Sequence, residues 1–254
     1  MDDQELLKVI QDAFANDPRL GPDFLPESME FGSDGALIVM AEVDSIAAKK
    51  RALELAVAPD RVRAVVDRIR VAPAAYMKDR DIYKHLREFY CEEPAFRDFA
   101  IFEAGRGDGP EAPVFAQVSG PTDTPRGRID FEVHDGVVIL NGAVPGLVSQ
   151  RLAGAMAWWV PGVRDVVNSL QPAPPEEDAP IRIEEAVRIV LDRDPYVDDT
   201  QIRVGVRGRV VRLTGAVRSP AERHMAEVDA WSILGVDEVI NDIAAPAESE
   251  TETE

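Results

Sequence analysis

VHDGVVILNGAVPGLVSQRLAGAMAWWVPGVRDVVNSL (residues 133–170) and VRGRVVRLTGAVRSPAERHMAEVDAWSILGVDEVINDI (residues 206–243) superimpose without a gap at an offset of 73. Val138/Val211, Leu140/Leu213, Gly142/Gly215, Val144/Val217, Ala157/Ala230, Trp158/Trp231, Gly162/Gly235, Val163/Val236 and Asn168/Asn241 fall in register. Self-similarity at a fixed period makes the fold one small unit used repeatedly. A third, degenerate copy occupies residues 34–69, at an offset of 101 from the middle one. It aligns through Gly35/Gly136, Val43/Val144, Ala56/Ala157, Val62/Val163 and Ile69/Leu170, with Ala41 and Arg61 in place of glycines.

Each copy is preceded by an apolar-periodic segment that ends in an acid-proline pair. Leu6, Ile10 and Ala13 lead to Asp17-Pro18; Ile82, Leu86 and Phe89 to Glu93-Pro94; Ile183, Val187 and Val190 to Asp194-Pro195. Positions i, i+4 and i+7 form one helical stripe, and the residue before a proline leaves the α region, which sets the stop. In the last copy Ile202, Val204 and Val206 alternate with Arg203, Gly205 and Arg207. After a Gly208-Arg209 turn, Val211, Leu213 and Val217 alternate with Arg212, Thr214 and Ala216. Period-2 alternation on both sides of a tight turn predicts a hairpin with one buried face. Ser219-Pro220-Ala221-Glu222 reads as a capping box with proline at N1, opening a second helix through roughly Leu234. Gly235 is placed as its left-handed terminator, and residues 239–243 form a last strand. The expected unit is α+β: helix–strand–strand–helix–strand, with two helices on one face of a small mixed sheet.

The Gly-Val-Val-x-Leu-x-Gly-x-Val strand at residues 136–144 and the Gly-Val-x-x-Val-x-Asn ending at residues 162–168 resemble the BON domain of bacterial osmotic-shock proteins and outer-membrane lipoproteins. Residues 210–217 and 235–241 resemble it too, with the turn glycine displaced to Gly208. The resemblance implies three tandem BON-like units without enzymatic activity, binding phospholipid or envelope partners. A cytosolic relative of the family binds potassium.

The expected organisation is a degenerate first domain at 1–73 and a second at 78–171 carrying an insertion at 99–126. A proline-rich acidic linker (172–180), a third domain (181–245) and an acidic, disordered tail (246–254) follow. The insertion follows from the helix-to-hairpin offset, which falls from 101 to 73 between copies. FAIFEAG and PVFAQVSG bracket GRGDGPEA, which reads as an added hairpin shielding a sheet edge. GRGDG lacks the lysine and Ser/Thr of a phosphate loop, and its Arg106-Gly107-Asp108 is no evidence of adhesion.

Net charge is −19, and no domain is net basic. Anionic membrane surfaces and nucleic acids both attract basic segments, so nucleic-acid binding is not expected and lipid binding needs a local exception. The longest apolar runs are far short of a transmembrane span. MDDQELLKVIQDAF has neither a basic n-region nor an apolar h-region, so the expected compartment is the cytoplasm; the lone Cys91 has no internal partner and carries no compartment signal.

Arg203, Arg207 and Arg212 share the sheet face opposite the helices, a stripe suited to a carboxylate or phosphate. The matching positions of the middle copy carry Asp130, His134 and Ile139, with Glu132 between, so the two faces could dock on each other or on another copy. Trp158, Trp159 and Trp231 complete the candidate binding set. Trp158 and Trp159 lie about 100° apart on their helix, so a single core cannot take both. Trp159, whose counterpart is Ser232, is the stronger interface candidate. His85, His134 and His224 fall at unrelated positions, and neither a zinc-spaced cluster nor a nucleophile elbow is present. No enzyme, cofactor or metal is expected. The expectation is a non-catalytic binding or scaffolding protein in osmotic-stress or envelope physiology, partnered by another protein or by its own copies. A phospholipid-binding protein is the first alternative and a potassium sensor the second.

Overall fold

A computed structural model of the chain describes residues 2–22, 24–105 and 113–246. The chain divides into two compact units, Met1–Ala74 and Ala75–Glu254. Residues 106–112, which hold GRGDG except its first glycine, and most of the acidic tail lie outside the described residues.

The first unit contains α1 (Asp3–Ala15), β1 (Ser28–Phe31), β2 (Leu37–Val43), α2 (Ile46–Val57) and β3 (Val65–Val71). β2 pairs antiparallel with β1 and parallel with β3, the mixed three-stranded sheet expected. A reciprocal capping box starts α1. The Asp2 carboxylate accepts from Glu5 N (2.8 Å) and the Glu5 carboxylate from Asp2 N (2.9 Å), satisfying two N–H groups that no helical carbonyl can reach. The α1 residues fully inside are Leu6, Ile10 and Phe14. Phe14, one position beyond the expected Ala13, closes the stripe because it is large enough to reach the sheet.

The second unit holds both remaining repeats. The middle one comprises α3 (Asp79–Glu92), β4 (Phe99–Gly105), β5 (Val114–Ser119), β6 (Gly127–His134), β7 (Val137–Val144), α4 (Leu147–Trp158), β8 (Asp165–Asn168) and the two-residue β9 (Gln171–Pro172). The last comprises α5 (Pro180–Arg193), β10 (Ile202–Arg207), β11 (Val210–Ala216), α6 (Pro220–Ser232) and β12 (Glu238–Ala244). Its sheet has the order β10-β11-β12, antiparallel then parallel. The insertion is an antiparallel hairpin, β4–β5, whose first strand pairs parallel with β6, giving the path β5-β4-β6-β7-β8.

The repeated glycine of the hairpin has a steric cause. Gly142 and Gly215 have φ of 123° and 141°, and a Cβ at either would sit 2.3 Å and 2.0 Å from the carbonyl oxygens of Arg128, on the neighbouring strand β6, and of Gln201, just before the neighbouring strand β10. The acids before the prolines also share a role. Asp17, Glu93 and Asp194 are all buried and accept from the backbone N–H two residues on, those of Arg19, Ala95 and Tyr196. Each closes the turn that follows its helix.

α6 starts as read, with Ser219 accepting from Glu222 N (3.1 Å) and Pro220 at N1. Only half of the capping box forms, however. The Glu222 carboxylate turns to Arg218 N and Asp198 N, which the helix leaves unpaired. The helix ends at Ser232, short of Leu234, and Gly235 takes the expected left-handed conformation at φ 95°.

The middle and last repeats do not keep separate cores. One continuous buried cluster runs from Ile82 on α3 to Ile243 on β12, because α4 packs against α5 and α6 as well as its own sheet. Its sequence explains this. Within LVSQRLAGAMAW, Leu147, Arg151, Leu152, Ala153, Gly154, Ala155, Met156 and Ala157 are all buried, and a helix apolar nearly all round has to be covered on every side. Small residues at 153–155 and 157 permit close helix approach. The helices of both repeats therefore lie between the two sheets, whose outer faces point away from each other.

Residues 172–180 are tied down as well. β9 pairs with β7. The Glu176 carboxylate accepts from Leu147 N (2.9 Å) and so caps α4, which has glycine at its own N-cap. Asp178 pairs with Arg151. Among the described residues no helix is long and apolar enough to cross a membrane.

Candidate functional site

All three tryptophans belong to the second unit. Trp158, Trp159 and Trp231 are each partly buried against the continuous cluster. The expectation that one core could not hold both Trp158 and Trp159 assumed one core per repeat; the fused core surrounds α4, so both rings find cover. Trp159 donates from Nε1 to Asp229 Oδ1 on α6 (2.9 Å), and its ring meets Phe89 of α3 edge-on at 6.5 Å between centroids. It thus joins two repeats of the same chain.

Its acceptor is unusual. Asp229 is 3% exposed and its carboxyl is pushed up to about 8. Burial is the main cause, and the neighbouring Asp194 carboxylate raises it further against the lowering hydrogen bond from Trp159. Oδ2 has no donor among the described residues. The proton that Asp229 therefore retains can be donated to the Asp194 carboxylate, which favours the neutral form of Asp229. Arg151, 2% exposed, also bridges the repeats: Nε donates to the Leu234 carbonyl (2.7 Å) at the end of α6, while Nη2 meets Asp178. The register of the repeats places His224 at the position of Arg151 and Met156 at that of Asp229. Neither polar group is repeated, and neither was foreseen; the only signal was a charged residue at a position its counterpart fills differently.

The arginine stripe has the expected geometry. Arg203, Arg207 and Arg212 are exposed, and the pairing Arg203↔Thr214, Gly205↔Arg212 and Arg207↔Val210 puts all three on the face opposite the helices. Arg212 is neutralised, with Nε and Nη2 both 2.6 Å from Asp242 Oδ2 on β12. Among the described residues, Arg203 and Arg207 on β10 form no ion pair. The outer face of the middle sheet is more self-contained. Arg128 lies 4.1 Å over the Phe102 ring and 2.7 Å from Asp130, and Glu132 meets His134 at 3.2 Å. Since the two outer faces point apart, they do not dock on each other within one chain.

A cleft of about 380 Å³ opens beside the start of α4, lined by Arg126, Glu176, Arg182 and Arg193 among others. Arg182 is engaged by Glu185 and Glu176, and Arg193 by Glu93, so the charge is largely spent internally. Among the described residues no three His, Cys, Asp or Glu side chains are grouped to hold a metal ion.

The pattern of the BON domain matches residues 114–174 and 182–247, together half of the chain. This chain belongs to the BON-domain family. The match to the middle BON domain begins in β5, leaving α3 outside it, and the first repeat is not matched. No curated protein matches the chain. Among the solved structures that align with it are two of CdsD, a structural protein of the type III secretion system of Chlamydia trachomatis. One, of the C-terminal domain, is 12% identical and covers 97% of this chain and all of its own, with a TM-score of 0.24. The other is 14% identical, covering 96% and 94%, also with a TM-score of 0.24. At that TM-score neither likeness bears on the role of this chain.

Proposed function

We propose that this BON-domain protein is a non-catalytic binding and scaffolding protein whose partner docks on the outer sheet face of the last repeat. One observation carries the reading: Arg203 and Arg207 stand exposed on β10 without an ion pair among the described residues, in a chain of net charge −19. α4 is covered by packing on α5 and α6, whereas the outer sheet face of the last repeat keeps Arg203 and Arg207 exposed for binding. Two unpaired guanidinium groups on one strand suit a surface bearing carboxylates or phosphates.

The test is an affinity capture from lysate of the producing organism with wild type and the double variant Arg203→Glu/Arg207→Glu. Both positions are exposed, so melting should change little. Partners captured by wild type and lost by the double variant support the reading; identical partner sets sink it. Flotation with anionic vesicles at low salt forms the second arm. Co-flotation of wild type but not of the double variant would replace the protein partner with a phospholipid surface.

A further inference from the structure

Arg203 and Arg207 are four residues apart on β10, so their side chains leave one face of the strand about 13 Å apart. Gly205 between them keeps that stretch open, with nothing within 4 Å of where a Cβ would stand. A matching ligand carries two anionic groups at that separation. The chain itself contains one. Residues 248–254 read ESETETE, with glutamate at every second position and no basic residue. In an extended run alternate side chains share a face. Glu248 and Glu252, or Glu250 and Glu254, then repeat the arginine spacing, with Ser249, Thr251 and Thr253 turned the other way.

The strand register puts this segment within reach. Arg203, Thr214 and Asp242 form one row across the sheet, and Arg207, Val210 and Glu238 another. β12 ends at Ala244, past the first row and two strands over, which is about 12 Å from Arg203 and about 22 Å from Arg207 at ordinary strand spacings. From Ala244 an extended chain spans about 20 Å to Glu250 and about 33 Å to Glu254. On β12 itself Asp242 is engaged by Arg212, and Glu238 is exposed. Acidic groups turned back over this face are therefore repelled from β12 and drawn to β10.

We infer that residues 248–254 fold back over the outer face of the last sheet and occupy Arg203 and Arg207, so that the acidic tail is an internal competitor for whatever docks there. The inference rests on the reading of that face as the docking surface and adds its regulation. A tethered segment acts at an effective concentration in the millimolar range. Two exposed charge pairs, weak one at a time, then give an occupancy that salt removes and a stronger acidic partner displaces.

The test compares the full chain with a variant whose tail is neutralised, Glu248→Gln/Glu250→Gln/Glu252→Gln/Glu254→Gln. The arginine Nε–Hε signals of Arg203 and Arg207, assigned by their loss in Arg203→Glu and Arg207→Glu, report the contact by NMR. They are expected to differ between the two proteins at roughly 50 mM salt and to converge at roughly 0.5 M. A labelled synthetic peptide of sequence ESETETE is expected to bind the neutralised variant roughly two- to tenfold more tightly than wild type. Adding Arg203→Glu/Arg207→Glu to the neutralised variant is expected to abolish that binding. Signals that coincide at low salt, or equal affinity of the peptide for wild type and the neutralised variant, overturn the inference. A signal difference that grows with protein concentration assigns the tail to a neighbouring copy and overturns it too. The NMR comparison needs no partner, so it fails separately from the docking reading: coincident signals beside lysate partners lost in Arg203→Glu/Arg207→Glu remove the tail and leave the docking surface standing.

Discussion

Replacing Asp229 with asparagine should stabilise this protein, and increasingly so as the pH rises. Asparagine keeps an oxygen for Trp159 Nε1 and offers Asp194 a donor, while removing the charge that burial and Asp194 oppose. The carboxyl moves from 3.8 in the unfolded chain to about 8 in the fold, so between those values the folded state holds a proton that the unfolded state has released. The stability Asp229 contributes is therefore complete below pH 3.8, falls as pH rises through the window, and is flat again above about 8. At about 1.4 kcal/mol per pH unit, wild type should lose roughly 3–4 kcal/mol from this group between pH 5 and 8. For a unit of this size that corresponds to a Tm difference on the order of 10 °C. All three tryptophans, Trp158, Trp159 and Trp231, lie in the second unit, so tryptophan fluorescence follows its unfolding alone. Urea titrations of wild type and Asp229→Asn at pH 5, 6, 7 and 8 give the difference directly, other carboxylates cancelling. Parallel curves, or a variant less stable than wild type at pH 8, would refute the shared-proton account.

Arg151→Met should cost about 1–3 kcal/mol, because it leaves the Leu234 carbonyl at the seam between repeats without its donor; the fluorescence-monitored urea midpoint reads it, and a change under about 0.5 kcal/mol would mean that water replaces the guanidinium freely. Glu176→Gln should weaken the α4 cap by about 1 kcal/mol, comparable with Ser219→Ala at the start of α6. If Glu176→Gln leaves the same urea midpoint unmoved while Ser219→Ala shifts it, residues 172–180 do not hold α4.

Much of this fold is written locally. Alternation either side of Gly208-Arg209, the Ser219-Pro220 start and the acid-proline stops each specify an element within a few residues. The gapless offset of 73 carries the assignment from the last repeat to the middle one. The sheet face was legible for the same reason, since period 2 fixes that Arg203, Arg207 and Arg212 point the same way. Pairing was less so: that Asp242 neutralises Arg212 depends on parallel register with β12, 30 residues on.

What the sequence determined by itself was the repeat, the α–β–β–α–β order, the added hairpin and the outward face of each strand, all consequences of backbone geometry over short spans. Only the tertiary structure decided that the middle and last repeats share one core. Residues 147–158 hint at it by lacking a polar face, but a short apolar helix does not say what covers it. The partners of Arg151 and Trp159 lie 83 and 70 residues away. Whether a buried charge or an indole N–H is satisfied depends on which helix arrives opposite it, and packing settles that, not local pattern.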